Sequence, residues 1–333
     1  MPPSRPKNLR ASLKRDADNL VQQILERRDA ARATRAKALA KHPRPITIKT
    51  QITRPNLTAA ATVPEQATAS LQTAGYLLAI GDSWFDYPVH DVLSKLEDHY
   101  GYNIESSAHR GDPLEAIVSH VGQLYKFASH LDKVLSFGAT PKAVLVSGGG
   151  DDIAGAEFGM LINSIDLTNP GWNDDIVAGV IDERIASAYR KLFFSINPLC
   201  KARLGHTVPI LVHGYDYPVP DGRGFLGGWG PLPGPWLKPG FDEKLFVKIV
   251  DNAAMMTVLI DRFNTMLQSV SKEAGFDNVR YVDLRHTLPN SPTNYKKWWA
   301  NELHPTGGSL LPGPNDGFLA VAAKFQAVLA TIP

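Results

Sequence analysis

The chain has 333 residues, enough for one large domain or two small ones with a sizeable core. Hydrophobic residues make up 44% and charged residues 20% of the sequence, a composition typical of a globular protein that excludes disorder throughout. The single cysteine, Cys200, excludes an intrachain disulfide scaffold and a cysteine-rich zinc module. No apolar run approaches the length of about 18 residues that a transmembrane helix needs, so no membrane span is expected.

The net charge of +2 conceals a basic first segment. Residues 1–54 hold 14 Lys and Arg against 4 Asp and Glu, a balance of +10, which leaves 21 against 29, or −8, for residues 55–333. Apolar residues recur at helical spacing from Leu13 to Leu25. We therefore expect a basic helical arm over residues 1–54 that runs into a linker at 55–75.

The basic arm has two alternative uses. Lys and Arg bind phosphates, but single-stranded nucleic acid also needs aromatic stacking platforms, and the chain has no Phe, Trp or Tyr before Tyr76. Nucleic acid is therefore not expected as a partner. The favoured interpretation is a helix that docks on the body of the chain or mediates self-association.

Over residues 76–333, short apolar runs alternate with longer helical stretches, a pattern typical of a parallel sheet with crossover helices. Several of the runs are apolar almost throughout, as expected for strands buried on both faces. Helical stretches are predicted near residues 90–99, 113–136, 175–195, 243–274 and 316–331. The five predicted strands are residues 76–80, 103–107, 143–147, 209–213 and 280–284.

Unusual residues follow four of the predicted strands. They are 81–84 (Gly-Asp-Ser-Trp), 109–112 (His-Arg-Gly-Asp), 148–152 (Gly-Gly-Gly-Asp-Asp) and 301–305 (Asn-Glu-Leu-His-Pro). Ligands of open parallel sheets bind beyond the carboxyl ends of the strands, so these segments are expected to meet at one edge. Each segment alone is typical of a turn or a helix cap, but their joint occurrence indicates a catalytic site.

In this order the segments resemble the motifs of the SGNH hydrolases, the GDSL esterase and lipase family, over roughly residues 76–330. The resemblance implies a flavodoxin-like three-layer α/β/α sandwich with a five-stranded parallel sheet. It also implies that Ser83 is the nucleophile and that Gly111 offers a backbone N–H. In the remaining two motifs, Asp151 stands at the position of a further donor and His304 at that of the base.

The chemistry of Ser83 and His304 can also be argued from the residues themselves. A serine hydroxyl needs a neighbouring base, and neutral imidazole is suited because its pKa lies near the operating pH. Attack on an ester carbonyl places negative charge on oxygen, which fixed hydrogen-bond donors stabilise. The expected oxyanion hole consists of the backbone amides of Ser83 and Gly111 and the side chain of Asp151.

Asp151 departs from the family pattern because the family has Asn at this position. An ionised carboxylate can only accept hydrogen bonds, so it cannot stabilise an oxyanion. Two routes avoid the conflict: burial beside Asp152 raises the pKa of Asp151 and keeps it protonated, or the side chain points away. We expect Asp151→Asn to raise esterase activity at neutral pH.

The second departure concerns the residue that orients the imidazole of His304. Asn301 replaces the family's Asp, so its amide oxygen can accept the ring N–H but carries no charge to stabilise imidazolium. Glu302 and Asp283 are alternative orienting residues. Catalysis is expected to be weaker, though not absent.

A segment at about 215–242 follows the fourth predicted strand and is rich in Gly, Pro and aromatic residues. It is expected to be irregular and to present aromatic surface near Ser83, which would suit an acyl chain or an aryl group. Equally, these aromatic residues could serve only to anchor the loop. The predicted substrate pocket consists of Trp84, Phe85, Trp229, Trp236, Trp298 and Trp299.

The sequence therefore predicts a serine hydrolase that cleaves a small-molecule carboxylic ester through an acyl-enzyme on Ser83, with His304 as general base. Two alternatives stay open. One is a catalytically impaired relative that binds an acylated or carbohydrate ligand, and the other is a vestigial hydrolase whose basic arm acts as an interaction or nucleic-acid module. No cofactor is expected, because neither a Walker-type loop nor a dinucleotide fingerprint occurs, and no metal is expected from the His and Asp spacings. The start of the chain has no apolar export signal, so a cytoplasmic location is expected.

Overall fold

A computed structural model describes residues 9–40, 73–88, 90–119, 121–227, 232–307 and 315–333. The strands are β1 (Gly75–Ile80), β2 (Tyr102–Ser106), β3 (Pro141–Val146), β4 (Ile162–Asn163), β5 (Gly171–Trp172), β6 (Ile210–His213) and β7 (Val279–Val282). Five of them form one parallel sheet in the order β2-β1-β3-β6-β7, while β4 and β5 pair as a short antiparallel ribbon. This strand order is that of a flavodoxin-like sheet, so the predicted fold class is confirmed.

The described helices are α1 (Leu9–Ala40), α2 (Val92–Tyr100), α3 (Leu114–Ile117), α4 (Leu124–Ser136), α5 (Asp174–Val177), α6 (Ala186–Leu204), α7 (Lys238–Glu243), α8 (Ile249–Ser271) and α9 (Gly317–Leu329). A π-helical stretch at Ala178–Ile185 joins α5 to α6 without a break. Helix α2 packs against α9 on one face of the sheet, whereas α4, α6 and α8 form the layer on the other face. Residues 77–80 and 143–146 are at most 1% exposed because the helices cover both faces.

The predicted strands agree with β1, β2, β3, β6 and β7 to within two residues at each end. The single helical stretch predicted over 113–136 is in fact two helices, because α3 ends at Ile117 and α4 begins at Leu124. Gly122 lies in the connection, where a Cβ would be 2.2 Å from the carbonyl oxygen of Ala116. Only glycine allows the chain to pass so close to the end of α3.

The predicted N-terminal helix forms α1 and docks on the body of the chain. Its apolar stripe packs against α6 and α4, and Leu20 and Ile24 are fully buried there. Arg28 Nε donates to Asp132 Oδ2 at 2.8 Å across the same contact. Burial of each large aliphatic side chain contributes about 1.5–3 kcal/mol, so packing holds the arm in place. Of the predicted linker, the part before residue 73 lies outside the described residues.

None of the helices in the described part of the chain is both long and apolar enough to cross a membrane.

Candidate active site

Ser83 and His304 lie within hydrogen-bond distance at the carboxyl edge of the sheet. Ser83 is in the turn after β1 and His304 is in the loop before α9. The Ser83 Oγ lies 2.7 Å from the His304 Nε2, although 221 positions separate the two residues. Gly81 makes this turn feasible, since a Cβ there would lie 2.7 Å from both the Cβ and the carbonyl oxygen of Ser147.

Asn301 holds the other side of the imidazole. Its Oδ1 lies 3.1 Å from the His304 Nδ1 and also accepts the backbone N–H groups of Leu303 and His304, each at 2.9 Å. Its Nδ2 donates to the Tyr87 hydroxyl at 2.9 Å. These bonds fix the amide with its oxygen toward the ring. His304 therefore donates from Nδ1 and presents the lone pair of Nε2 to Ser83.

Aromatic side chains enclose the imidazole of His304. The ring of Tyr87 stacks on it, and the ring of Trp236 approaches it nearly edge-on, with centroids 5.7 Å apart. Burial lowers the pKa of His304 to about 3, and the neutral Asn301 provides no charge to offset that effect. The imidazole is therefore neutral at physiological pH and can accept a proton from Ser83.

Glu302 does not orient His304 but clamps a loop. It is fully buried and accepts four backbone N–H groups at 2.7–3.0 Å. The four donors are Gly222, Trp236, Leu237 and Lys238. Asp283, the other alternative, pairs with Arg285 at 2.6 Å. Of the three candidate orienting residues, Asn301 is the one in contact with the ring.

Asp151 and Gly111 line the same cleft as Ser83. The Oδ2 of Asp151 is buried and has no hydrogen-bond partner among the described residues. Burial, with a further contribution from three neighbouring aspartates, raises the pKa of Asp151 to about 8. The carboxyl is therefore mainly protonated at neutral pH and has an O–H to donate. A protonated Asp151 corresponds to the first of the two routes by which the predicted oxyanion hole would avoid a carboxylate.

Asp82 ties the turn that carries Ser83 to the neighbouring strands. One of its oxygens accepts the backbone N–H of Trp84 at 3.0 Å and the hydroxyl of Ser147 at 2.5 Å, and the other accepts the hydroxyl of Tyr215. Tyr215 in turn accepts the N–H of Gly150 at 3.0 Å. This buried network holds the turns after β1 and β3 in a fixed relation.

His213 lies behind this network and outside the cleft. It is fully buried, with Nε2 2.9 Å from the Ser147 Oγ and Nδ1 2.6 Å from the carbonyl oxygen of Gly214. Burial lowers the pKa of His213, which is consistent with a structural role. The sequence did not point to Tyr215 or Tyr87. Tyr215 could have been identified by its place two residues after β6, at the carboxyl edge of the sheet, whereas Tyr87 carries no such signal.

Two compartments meet at Ser83 and His304. One is a deep pocket of about 40 Å³, and the other is a wider cleft of about 250 Å³. Of the predicted pocket residues, Trp84 and Trp299 line the deep pocket and Trp236 lines the cleft. Ser83 and His304 are therefore accessible from two differently shaped spaces.

Phe85 and Trp298, also predicted to line the substrate pocket, line neither of these two compartments. Phe85 is 2% exposed and packs against Phe325 of α9. Successive side chains of the turn point in different directions, and that of Trp84 points toward the deep pocket. Trp298 is partly buried and packs against the hydrophobic core. Trp229 lies outside the described residues.

The segment at 215–242 contains regular structure, contrary to expectation, because α7 begins within it. Phe241 of α7 is fully buried and packs against Phe158 with ring centroids 5.1 Å apart. In contrast, Phe225 and Trp236 line the wider cleft. Some aromatic residues of this segment therefore anchor it to the core, and others line the wider cleft.

No protein-family model and no curated protein matches the chain. Among solved structures, the extracellular lipase of Streptomyces rimosus is 16% identical and aligns with 76% of this chain and 99% of its own, with a TM-score of 0.42. A catalytic mutant of an acetylxylan esterase from Geobacillus stearothermophilus is 16% identical and aligns with 77% of this chain and 94% of its own, with a TM-score of 0.41. The chain is thus similar to lipase and esterase structures at the level of the fold alone.

Proposed function

We propose that the chain is a serine hydrolase that cleaves a carboxylic ester, with Ser83 as nucleophile and His304 as general base. The observation that carries this proposal is the hydrogen-bonded series Ser83, His304 and Asn301 at the junction of two compartments. A hydroxyl 2.7 Å from a neutral imidazole nitrogen, with the ring held from its other side, is the arrangement that activates serine.

In the acylation step, the Nε2 of His304 takes the proton of Ser83 as the Oγ bonds to the carbonyl carbon of the ester. The carbonyl oxygen then carries a negative charge in a tetrahedral intermediate. As that intermediate collapses, the bond from carbon to the alcohol oxygen breaks, and Nε2 returns its proton to that oxygen. The alcohol leaves, and the acyl group stays on Ser83.

Deacylation repeats the sequence with water as the nucleophile. His304 takes a proton from water, the hydroxide oxygen bonds to the acyl carbon, and the proton returns to the Ser83 Oγ as the carboxylic acid departs. Asn301 acts on both steps through His304, since its oxygen accepts the Nδ1 proton and keeps Nε2 free for exchange.

The oxyanion is stabilised in this proposal by the backbone N–H groups of Ser83 and Gly111 and by the carboxyl O–H of Asp151. The buried, unpartnered Oδ2 of Asp151 beside the cleft supports that role. Loss of one such donor typically costs about 10²–10³ in kcat, so the protonation of Asp151 decides how fast the enzyme is.

Labelling with a fluorophosphonate probe tests the nucleophile, because the probe bonds to an activated serine with loss of fluoride. We expect the wild type to be labelled and to hydrolyse p-nitrophenyl acetate, and Ser83→Ala to do neither. Ser136→Ala, which alters a solvent-exposed hydroxyl on α4, is the control and should behave as the wild type. Labelling that persists in Ser83→Ala would place the reactive serine elsewhere.

A second candidate is an impaired relative that binds an acylated or carbohydrate ligand without cleaving it. Asn301 and the low pKa of His304 favour it, because a weakly stabilised imidazolium raises the barrier to proton transfer. In that case the wild type would show no labelling and no ester turnover, while titration calorimetry would detect binding of an aryl ester or an acetylated oligosaccharide.

A further inference from the structure

The deep pocket is a small, mainly apolar space beside Ser83. Its wall includes Trp84, Leu237, Met256 and Trp299, which are all at most 4% exposed. The pocket has a free volume of about 40 Å³. A water molecule needs about 10–15 Å³ of such space, so the pocket accommodates roughly three non-hydrogen atoms. With the ester carbonyl at the Ser83 Oγ, the pocket therefore admits a substituent of one to about three carbons.

The wider cleft has a different lining and a larger volume. Its described lining is mainly aromatic or aliphatic and includes Tyr87, Phe225, Leu232, Pro233 and Trp236. A sugar ring needs several polar partners for its hydroxyl groups, whereas this wall offers apolar faces. At about 250 Å³ the cleft is suited to a ring system or a branched hydrocarbon group.

The order in which products leave assigns the two substituents of the ester. The alcohol must depart while the acyl group is still bonded to Ser83, and water must then reach the acyl carbon. A pocket of about 40 Å³ leaves little room for a bulky alcohol to depart or for water to enter, while the wider cleft provides a path out for alcohol and in for water. Tyr87 and Trp236, which flank the ring of His304, also line the cleft, so the proton donor faces the leaving oxygen from that side.

We infer that the substrate is an ester of a short acyl group, with two to four carbons, and a bulky apolar or aromatic alcohol. This inference rests on the proposed function, because it takes Ser83 as the nucleophile. The deep pocket limits the acyl group, and the cleft binds the alcohol.

Three comparisons of kcat/KM test the assignment. In a p-nitrophenyl series, the acetate and butyrate should exceed the octanoate by at least 10²-fold. Octanoate has four more methylenes than butyrate, and a single misplaced methylene typically costs tenfold or more. With leaving alcohols of similar acidity, 2-phenylethyl acetate should exceed ethyl acetate by at least tenfold. The isomer methyl 3-phenylpropanoate, in which the same groups are reversed about the ester, should be the poorer of the two isomers by at least tenfold.

A pair of methionine variants on α8 tests the pocket itself. Met256 lines the deep pocket and Met266 does not, although both are buried, at 1% and 7% exposure. Met256→Ala removes three atoms from the wall and should raise the ratio of octanoate to butyrate turnover at least tenfold. Met266→Ala removes the same atoms farther along the helix and should leave the ratio within twofold. The ratio is independent of how much of each variant is folded.

The outcomes separate this inference from the proposed function. Fluorophosphonate labelling with a preference for octanoate, for the reversed isomer or for acetylated xylan over 2-phenylethyl acetate would overturn the substrate class alone. Labelling without turnover of any of these esters would also overturn the substrate class alone. An unlabelled protein with no turnover would overturn the hydrolase proposal and this inference together.

Discussion

The ring of His304 stacks on the ring of Tyr87, with centroids 4.2 Å apart and planes inclined by 30°. The same tyrosine accepts the N–H of Asn301 at 2.9 Å, so it contacts both the base and the residue that orients it. Burial raises the pKa of Tyr87, which keeps the hydroxyl protonated at all ordinary pH values. In the proposed mechanism, Tyr87 is therefore a positioning residue that acts through His304 and Asn301.

Tyr87→Phe should lower kcat about fivefold, because the stack remains but the Asn301 amide loses a partner worth about 1 kcal/mol. Steady-state kinetics on p-nitrophenyl acetate would measure the change. Tyr295→Phe is the matched control, since Tyr295 is equally buried, at 6% exposure, and donates to Asp221 at 2.9 Å. A kcat that falls equally in both variants would indicate a general loss of stability instead.

Asn301→Asp should give a faster enzyme with a different acid limb. The base must be unprotonated, so a pKa of about 3 for His304 keeps wild-type kcat/KM constant as the pH falls from 7 to about 4. A carboxylate 3.1 Å from Nδ1 would raise the pKa of His304, so the variant should lose activity as the pH falls through a higher value. At pH 7 its kcat should be about tenfold higher or more.

A pH profile of wild type and Asn301→Asp on one ester measures both effects. The orienting role of Asn301 would be contradicted if the two profiles had the same acid limb and the same plateau.

Asp151→Asn should abolish an alkaline limb. The wild type should lose activity as the pH rises through about 8, because the carboxyl then ionises and no longer donates to the oxyanion. An amide donates at every pH, so the variant should match the wild type near pH 6. At pH 9 it should exceed the wild type about tenfold in kcat, because only about a tenth of the wild-type carboxyl is then still protonated. From the sequence alone the gain would be expected already at neutral pH; the raised pKa moves it to higher pH.

Asp152→Asn is the control for that profile. Asp152 accepts the N–H of Leu114 at 2.7 Å, and its charge raises the pKa of Asp151. This variant should therefore move the alkaline limb to slightly lower pH but keep it. Kinetics between pH 6 and 9.5, corrected for spontaneous hydrolysis, would measure both. A limb that survives in Asp151→Asn would assign the titration to another group.

Glu302→Gln should destabilise the protein and weaken the binding of bulky alcohols. The amide keeps one acceptor oxygen for four backbone donors, so two N–H groups lose their partner, at about 1–3 kcal/mol each. The melting temperature should fall, and KM should rise more for 2-phenylethyl acetate than for ethyl acetate. Glu105→Gln, which breaks pairs with His130 and Lys133 away from the site, should leave the KM ratio unchanged.

The sheet and the residues that meet at its carboxyl edge could be predicted from the sequence because both depend on local patterns. Apolar runs give buried parallel strands, and parallel strands place their carboxyl ends together, which brings Ser83 and His304 to one edge. The strand ends were correct to within two residues for the same reason.

The packing of individual side chains could not be predicted in this way. Trp84 and Phe85 are neighbours in one turn, yet the first lines the deep pocket and the second packs on α9, a difference that depends on the dihedral angles of the turn. The role of Glu302 depends on backbone N–H donors that lie 64 to 80 positions before it in the sequence, so no local sequence pattern predicts it. The pKa values of Asp151 and His304 depend on burial, which only the assembled structure defines.

Helix α1 has a practical consequence for anyone who trims this chain to its catalytic part. A clone starting at residue 73 would retain every strand, Ser83 and His304, yet it would leave the hydrophobic groove that Leu20 and Ile24 occupy open to water. Such a product should be prone to aggregation, and its failure in an assay could be mistaken for evidence against the proposed hydrolase activity.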